Sequence, residues 1–195
     1  MPEQGLLDRR EAVAALLAER GDLLVVTGLG SPTYDVHAAG DHDGNFYLWG
    51  AMGGAALVGL GLAQAQPGRP VLVVTGDGEQ LMGLGALATI GVARPRNLTI
   101  AVLDNQHYAE TGMQASHTAS VDLVGIAEAC GFAEARTLRT ADQIAAASAS
   151  LGRPAEGPRL LVVRISPENP PRSLPSRDAV HVKNRFRAHL GLPQG

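Results

Sequence analysis

VLVVTGDGEQLMGLGALATIGVARPRNLTIAVLDNQHYAETGMQ, residues 71–114, decides how this chain folds. It opens with an apolar, β-branched run, Val71 to Thr75, of the kind that forms a strand covered on both faces. A Gly76-Asp77-Gly78 turn follows. Glu79 to Val92 then reads as one helix, with Glu79 in the first turn where the helix dipole favours it and Pro95 beyond the end as a stop. A second strand, Leu98 to Leu103, runs into a polar loop that opens at Asp104-Asn105. The pattern is a βαβ unit, and a right-handed crossover makes its strands parallel. A carboxylate at the end of one strand and a carboxamide at the end of the next therefore emerge on the same edge of a sheet.

The chemistry of that pair is specific. Asp77 offers a hard anionic oxygen and Asn105 a neutral carbonyl oxygen, the donors Mg²⁺ takes when it bridges protein to phosphate. The glycines beside Asp77 allow close backbone approach, and the helix that follows aims free N–H groups at an anion. The unit reads as a metal-diphosphate clamp.

Working outward, Leu23 to Thr27 is another short buried strand, ending in the loop Gly28-Leu29-Gly30-Ser31-Pro32 at the same sheet edge. Upstream, Asp8 and Glu11 have capping-box spacing, and an amphipathic helix runs from there to Gly21. Ser31 to Phe46 is polar and reads as an irregular solvated loop, in which His37, Asp41, His42 and Asp43 need not form a metal site. Tyr47 to Gln66, rich in Gly and Ala, reads as a closely packed helix. Beyond Asn105 the segment to Thr118 is polar, broken by Gly112, and reads as a loop. Asp122 caps a helix containing Cys130, read as a small apolar packing residue. Phe132 to Arg136 is a short strand, Thr140 and Gln143 begin a capped helix, and Arg159 to Ile165 is the last strand. The repeated strand and helix alternation implies an α/β fold with a mostly parallel sheet. Residues 1–166 form one domain, followed by a Pro-rich arm with a short basic helix over residues 167–195.

Composition narrows the function. The chain has 195 residues, a formal net charge of −3 and a single cysteine. A slightly acidic chain is not a general nucleic-acid binder. One cysteine excludes an internal disulfide, an iron–sulfur cluster or a Cys-based zinc site within the chain. No apolar run is long enough to span a bilayer, and the opening MPEQGLLDRREAV lacks the apolar core of a signal peptide, so the cytoplasm is expected.

Gly76-Asp77-Gly78 followed downstream by Asn105 resembles the diphosphate motif of thiamine-diphosphate (ThDP) enzymes, in which GDG precedes an Asn-Asn pair. Asp104 stands in place of the first Asn. Most of the chain, Leu23 to Ile165, resembles the diphosphate-binding half of these enzymes, and most closely the beta subunit of the sulfopyruvate and phosphonopyruvate decarboxylase family. The resemblance implies the three-layer α/β/α ThDP-binding fold. It implies Mg²⁺ on Asp77, Asn105 and the backbone carbonyl of His107, with Gly28, Gly76, Gly78, Glu79, Tyr108, Thr111 and Gln114 around the diphosphate. Trp49-Gly50-Ala51-Met52-Gly53 resembles the aminopyrimidine-binding segment. There Gly50 would accept from the cofactor's 4′-amino group, Met52 would wedge beneath the bent cofactor, and Ala51 takes a position usually held by Ser. Met113 follows Gly112 where a second Gly is usual.

The resemblance also implies what lies outside this chain. The glutamate that activates the cofactor belongs to a second α/β domain, expected here on a separate pyrimidine-binding (alpha) subunit in a hetero-oligomer such as α2β2. No catalytic side chain is assigned to this chain. The implied activity is non-oxidative decarboxylation of a small 2-oxo acid, or a related C–C lyase or ligase reaction. Two alternatives stay open at this level: the beta subunit of a 2-oxoacid:ferredoxin oxidoreductase with its clusters on partners, and a cofactor-binding module without turnover. Whether His37, His42, His107 or His117 touches substrate is likewise open.

Overall fold

The computed structural model describes residues 6–193. Eight strands are present among the described residues: β1 (Leu24–Thr27), β2 (Asn45–Tyr47), β3 (Val71–Gly76), β4 (Leu98–Asp104), β5 (His107–Tyr108), β6 (Gln114–Ala115), β7 (Glu134–Leu138) and β8 (Arg159–Arg164). Six of them form one sheet in the order β2-β1-β3-β4-β8-β7, parallel throughout. The helices are α1 (Arg9–Leu16), α2 (Ser31–Ala38), α3 (Ala55–Ala65), α4 (Asp77–Met82), α5 (Gly85–Ala93), α6 (Leu123–Ala129), α7 (Ala141–Leu151) and α8 (Ala179–His189).

The strands are apolar at nearly every position because both faces of the sheet are covered. Val71, Val73, Ile100, Val102, Leu160 and Val162 pack with α3, α5, α6 and Phe186 of α8 on one face. Leu72, Val74, Ala101, Leu103, Leu161 and Val163 pack with α1 and α7 on the other. The expected three-layer α/β/α arrangement is what the chain adopts.

Strand order places the functional edge. The chain leaves β1 toward β2 and returns on β1's other side as β3, so the connections diverge and a crevice opens beyond the carboxyl ends of β1 and β3. The β3–β4 register pairs Gly76 with Leu103, so Asp77 and Asp104-Asn105 leave the sheet side by side.

Several local expectations are corrected. Ser31 to Phe46 is not an irregular loop: it contains α2 and β2. Thr33, Asp35 and Asn45 within it are buried and pair inside the protein, while Asp41 and Asp43 stay exposed. Thr33 Oγ1 donates to the Gly28 carbonyl at 2.7 Å, and Asp35 accepts from Arg9 Nε at 2.7 Å. The helix read over Tyr47 to Gln66 begins only at Ala55, because Ala51 (φ 56°) and Gly53 (φ 88°) hold residues 49–54 out of helical geometry. The crossover is two helices rather than one, starting at Asp77 itself and breaking near Gly83. There the backbone of Gly53 comes so close that a Cβ on Gly83 would lie 2.1 Å from the Gly53 carbonyl oxygen. The polar segment after Asn105 contains the small antiparallel hairpin β5–β6. α1 ends at Leu16, short of Gly21, and β7 lies two residues beyond the strand read from Phe132.

The C-terminal segment is anchored to the domain. Residues 167–178 have no regular secondary structure, yet Arg10 donates to the Pro171 carbonyl, Trp49 Nε1 donates to the Ser176 carbonyl at 2.9 Å, and Arg172 pairs with Glu110 at 3.0 Å. The basic helix α8 then buries Val182 and Phe186, the latter edge-on against Phe46 with ring centroids 5.5 Å apart. Among the described residues no helix is long and apolar enough to cross a membrane. The first five residues of the segment read for a signal peptide, Met1 to Gly5, lie outside the described residues.

Candidate functional site

The carboxyl ends of β1, β3, β4 and β8 meet in one cleft. Leu29, Ser31 and Pro32 line it from the β1 side, Gly76 to Glu79 from β3, Leu103 and Asn105 from β4, and Ile165 from β8. The hairpin adds His107, Tyr108, Glu110 and Thr111, while Met52 and Arg9 border it from the preceding segments. Asp77 and Asn105 are 3% and 8% exposed, so the carboxylate and carboxamide sit at the floor of the cleft rather than on a free surface.

Each of the two is held by its own neighbours. Asp77 Oδ2 accepts a short hydrogen bond from Ser116 Oγ, and Thr118 Oγ1 lies 3.2 Å from the same oxygen. Asn105 Oδ1 accepts from the His107 backbone N–H at 2.9 Å, which leaves this carbonyl oxygen a second lone pair. The His107 ring is turned back, with Nδ1 2.8 Å from the Asn105 carbonyl, an arrangement that makes Nδ1 the protonated nitrogen. Burial pushes the Asp77 carboxyl above its usual range; the Ser116 hydrogen bond pulls it down, and the nearby Asp104 carboxylate adds to the rise. A pair of buried hard oxygens, one of them on a carboxylate that would gain from a nearby cation, fits a divalent ion bridging to phosphate.

Glu79 lies beneath the cleft, 4% exposed, with Oε2 accepting from the Leu29 N–H at 3.1 Å. Its carboxyl is also pushed up by burial, against hydrogen bonds that favour the charged form. Gly28 is required here by close approach: a Cβ at this position would lie 1.8 Å from Glu79 Oε2. Gly28 therefore supports the floor through Glu79 and is not among the cleft-lining residues.

The remaining residues singled out from the sequence divide between the cleft and its surroundings. Met52 lines the cleft at 42% exposure, whereas Gly50 and Ala51 stand beside it in the strained 49–54 segment. Tyr108 packs its ring over Gly78, and Thr111 is cross-linked to Gln114 through Gln114 Nε2 donating to the Thr111 carbonyl at 2.7 Å. Met113 takes φ 63°, the backbone state that glycine adopts freely. His37 instead pairs with Ser173 at 2.8 Å, and the His42 ring meets His189 at 5.2 Å, both away from the cleft. His117 sits in a 3₁₀ turn outside it. Among the described residues no group of three or more His, Cys, Asp or Glu side chains could hold a metal ion.

Ser116, Thr118, Arg9 and Glu110 were not legible as site residues. Ser116 and Thr118 lie 39 and 41 positions from Asp77, and nothing in their local sequence marks them.

Residues 34–163 match the model of the family described as thiamine pyrophosphate enzyme, C-terminal TPP binding domain. The chain belongs to this family. Phosphonopyruvate decarboxylase from Streptomyces viridochromogenes is 40% identical over 95% of this chain, which spans about half (47%) of that protein's length. Sulfopyruvate decarboxylase subunit beta from Methanothermobacter thermautotrophicus is 36% identical over 93% of this chain and 94% of the relative. Among solved structures, benzoylformate decarboxylase from Polynucleobacter necessarius superposes with a TM-score of 0.72 at 18% identity, covering 85% of this chain and 34% of that one. That likeness establishes a shared fold. Gly76, Asp77 and Gly78, all within the matched residues, line the cleft beyond β1, β3 and β4.

Proposed function

We propose that the chain is the thiamine-diphosphate- and Mg²⁺-binding subunit of a two-subunit, non-oxidative 2-oxo-acid decarboxylase. The observation that carries this reading is the placement of Asp77 and Asn105, both buried, at the ends of adjacent parallel strands and in one cleft. Near-complete mutual coverage with a sulfopyruvate decarboxylase beta subunit supports both the reaction class and a separate alpha subunit. The named relatives are decarboxylases, which favours this reading over a ferredoxin-linked oxidoreductase.

When bound, thiamine diphosphate supplies the electron sink that lets a 2-oxo acid lose CO₂. The residues of this chain anchor and orient it. Asp77, Asn105 and the His107 carbonyl hold Mg²⁺, and Gly76, Gly78 and the first turn of α4 present backbone to the diphosphate. Tyr108 and Thr111 form the wall of the cleft above them. Gly50 and Met52 meet the pyrimidine side, with Ala51 shaping the turn between them. Glu79 and Gly28 brace the floor. The partner contributes the activating glutamate, and sulfopyruvate and phosphonopyruvate, each a 2-oxo acid with a second anionic group, are the first substrates to test. The protein acts in the cytoplasm.

Titration of thiamine diphosphate with Mg²⁺ into the chain together with a pyrimidine-binding subunit tests the proposal. Saturable, Mg²⁺-dependent binding that disappears in Asp77→Ala, followed by CO₂ release from one of these substrates, is expected. Binding unchanged in Asp77→Ala would refute the anchoring role.

A further inference from the structure

Asp77 is not the only buried carboxylate at the head of the sheet. Asp104, the last residue of β4, is 4% exposed and stands where the resemblance places an Asn. Two carboxylates this close repel, and burying both is costly without compensation. The structure shows the compensation. Arg164, at the end of β8, donates Nη1 to Asp104 Oδ2 at 2.5 Å, in the neighbouring strand register that pairs Asp104 with Arg164. The other oxygen, Asp104 Oδ1, lies 2.8 Å from Thr118 Oγ1.

Thr118 is the link between the two carboxylates. Its hydroxyl has one proton and two carboxylate neighbours, Asp104 Oδ1 at 2.8 Å and Asp77 Oδ2 at 3.2 Å. The shorter contact takes the proton, so Asp104 orients the hydroxyl. Ser116, 3.0 Å from Thr118 Oγ1, then supplies the proton that Asp77 Oδ2 accepts. Both hydroxyl protons are then committed to carboxylates, and it is the Thr118 backbone N–H, donating to Ser116 Oγ at 3.5 Å, that joins the two residues, so the series from Arg164 through Asp104 and Thr118 reaches Asp77 by way of Ser116. This series determines which carboxylate oxygen of Asp77 is turned inward and which side of the group faces the cleft.

We propose that Asp104, Thr118 and Arg164 are positioning residues that set the metal affinity of Asp77, with Arg164 serving as the counter-ion that makes a second carboxylate tolerable behind the metal site. The proposal rests on the reading of Asp77 as a magnesium ligand. Groups that orient a metal ligand alter affinity by roughly 10- to 100-fold when removed. Asp104→Asn should weaken the hydrogen bond from Thr118 and leave Arg164 without its counter-ion. Thr118→Val should cut the link while leaving the Arg164–Asp104 pair in place, and Thr118→Ser should restore it.

Mn²⁺ binding, followed by electron paramagnetic resonance in the presence of thiamine diphosphate and the partner subunit, reads affinity without turnover. Thermal unfolding of each variant separates loss of fold from loss of affinity. The expected result is a dissociation constant about 10- to 100-fold higher for Asp104→Asn and Thr118→Val, near wild type for Thr118→Ser, and partly recovered in Asp104→Asn/Arg164→Gln relative to Asp104→Asn. Wild-type affinity in Thr118→Val and Asp104→Asn, with Asp77→Ala still defective, would overturn the positioning role while keeping the metal assignment. Mn²⁺ binding that survives Asp77→Ala would overturn both. Should Asp104→Asn fail to fold, the Thr118→Val and Thr118→Ser comparison decides the matter alone.

Discussion

Replacing Arg9 by Met should destabilise the protein by about 3 kcal/mol at neutral pH, the lower end of the roughly 3–5 kcal/mol expected when one member of a buried ion pair is removed. Arg9 and Asp35 join α1 to α2 through a 2.7 Å contact, with side chains only 3% and 2% exposed. Met fills much of the space of the Arg stem but leaves the Asp35 carboxylate buried without its main partner. Arg10, 3.5 Å from the other oxygen of Asp35 and itself 29% exposed, remains and holds the cost down. For a chain of this size the loss corresponds to a fall in Tm of about 6–12 °C.

The effect has a predicted pH dependence. Burial already pushes the Asp35 carboxyl above the ordinary value of 3.8, with Arg9 pulling it back down. Without Arg9 the folded-state value rises further, and the native state binds a proton that the unfolded state releases. The penalty is therefore full at neutral pH and shrinks as pH falls through the raised folded-state value, because a protonated Asp35 no longer needs Arg9; the unfolded-state value is common to both proteins and cancels. Urea unfolding of wild type and Arg9→Met at pH 7 and near pH 4 measures both quantities. Arg9→Met/Asp35→Leu, which removes the buried charge altogether, should recover most of the stability. A penalty below about 1 kcal/mol at pH 7, or one that is equal at the two pH values, would refute the argument, since a paired buried carboxylate cannot behave that way.

Three further outcomes are expected. Gly28→Ala forces the Glu79 carboxylate off the Leu29 N–H, so cofactor binding should weaken at least 10-fold by calorimetric titration, while Gly61→Ala, where nothing lies within 4 Å of the added Cβ, should bind normally. Without added metal, Glu79→Gln should stabilise the protein above the ordinary carboxylate value of 4.5. Burial raises the folded pKa of Glu79, so its favourable contribution is complete below that value and is lost as pH rises through the folded one; chemical unfolding across the acid range should show a flatter profile in the variant. Thr140→Ala removes the hydroxyl half of a complete capping box at the start of α7 and should cost about 1 kcal/mol, read from the denaturant midpoint.

Much of this protein is legible in its sequence because its signals are local. Val71–Gly76 and Leu98–Asp104 are strands as their apolar runs require, and Thr140 with Gln143 caps α7 as their spacing requires. The GDG turn and Asn105 lie on one βαβ unit, so their convergence follows from handedness alone. The misread stretches share a cause. In Ser31–Phe46 the polar residues suggested solvent, yet Thr33, Asp35 and Asn45 are buried, Thr33 and Asn45 paired with the nearby Gly28 carbonyl and Tyr47 hydroxyl and Asp35 with Arg9 from another helix, once the layers packed over the sheet enclose them. The helix read through Gly83 breaks because Gly53, distant in sequence, presses its backbone against it.

The sequence by itself thus determined the fold class and the sheet edge on which Asp77 and Asn105 emerge, since strand period, turn chemistry and crossover handedness are properties of neighbouring residues. Only the tertiary structure decided the strand order that opens the crevice between β1 and β3, and the clustering of Arg164, Asp104, Thr118 and Ser116 behind Asp77. Those depend on which distant segments pack together, and a hydroxyl such as Thr118 acquires its role only when two carboxylates, one of them 41 positions away, are brought to the same oxygen.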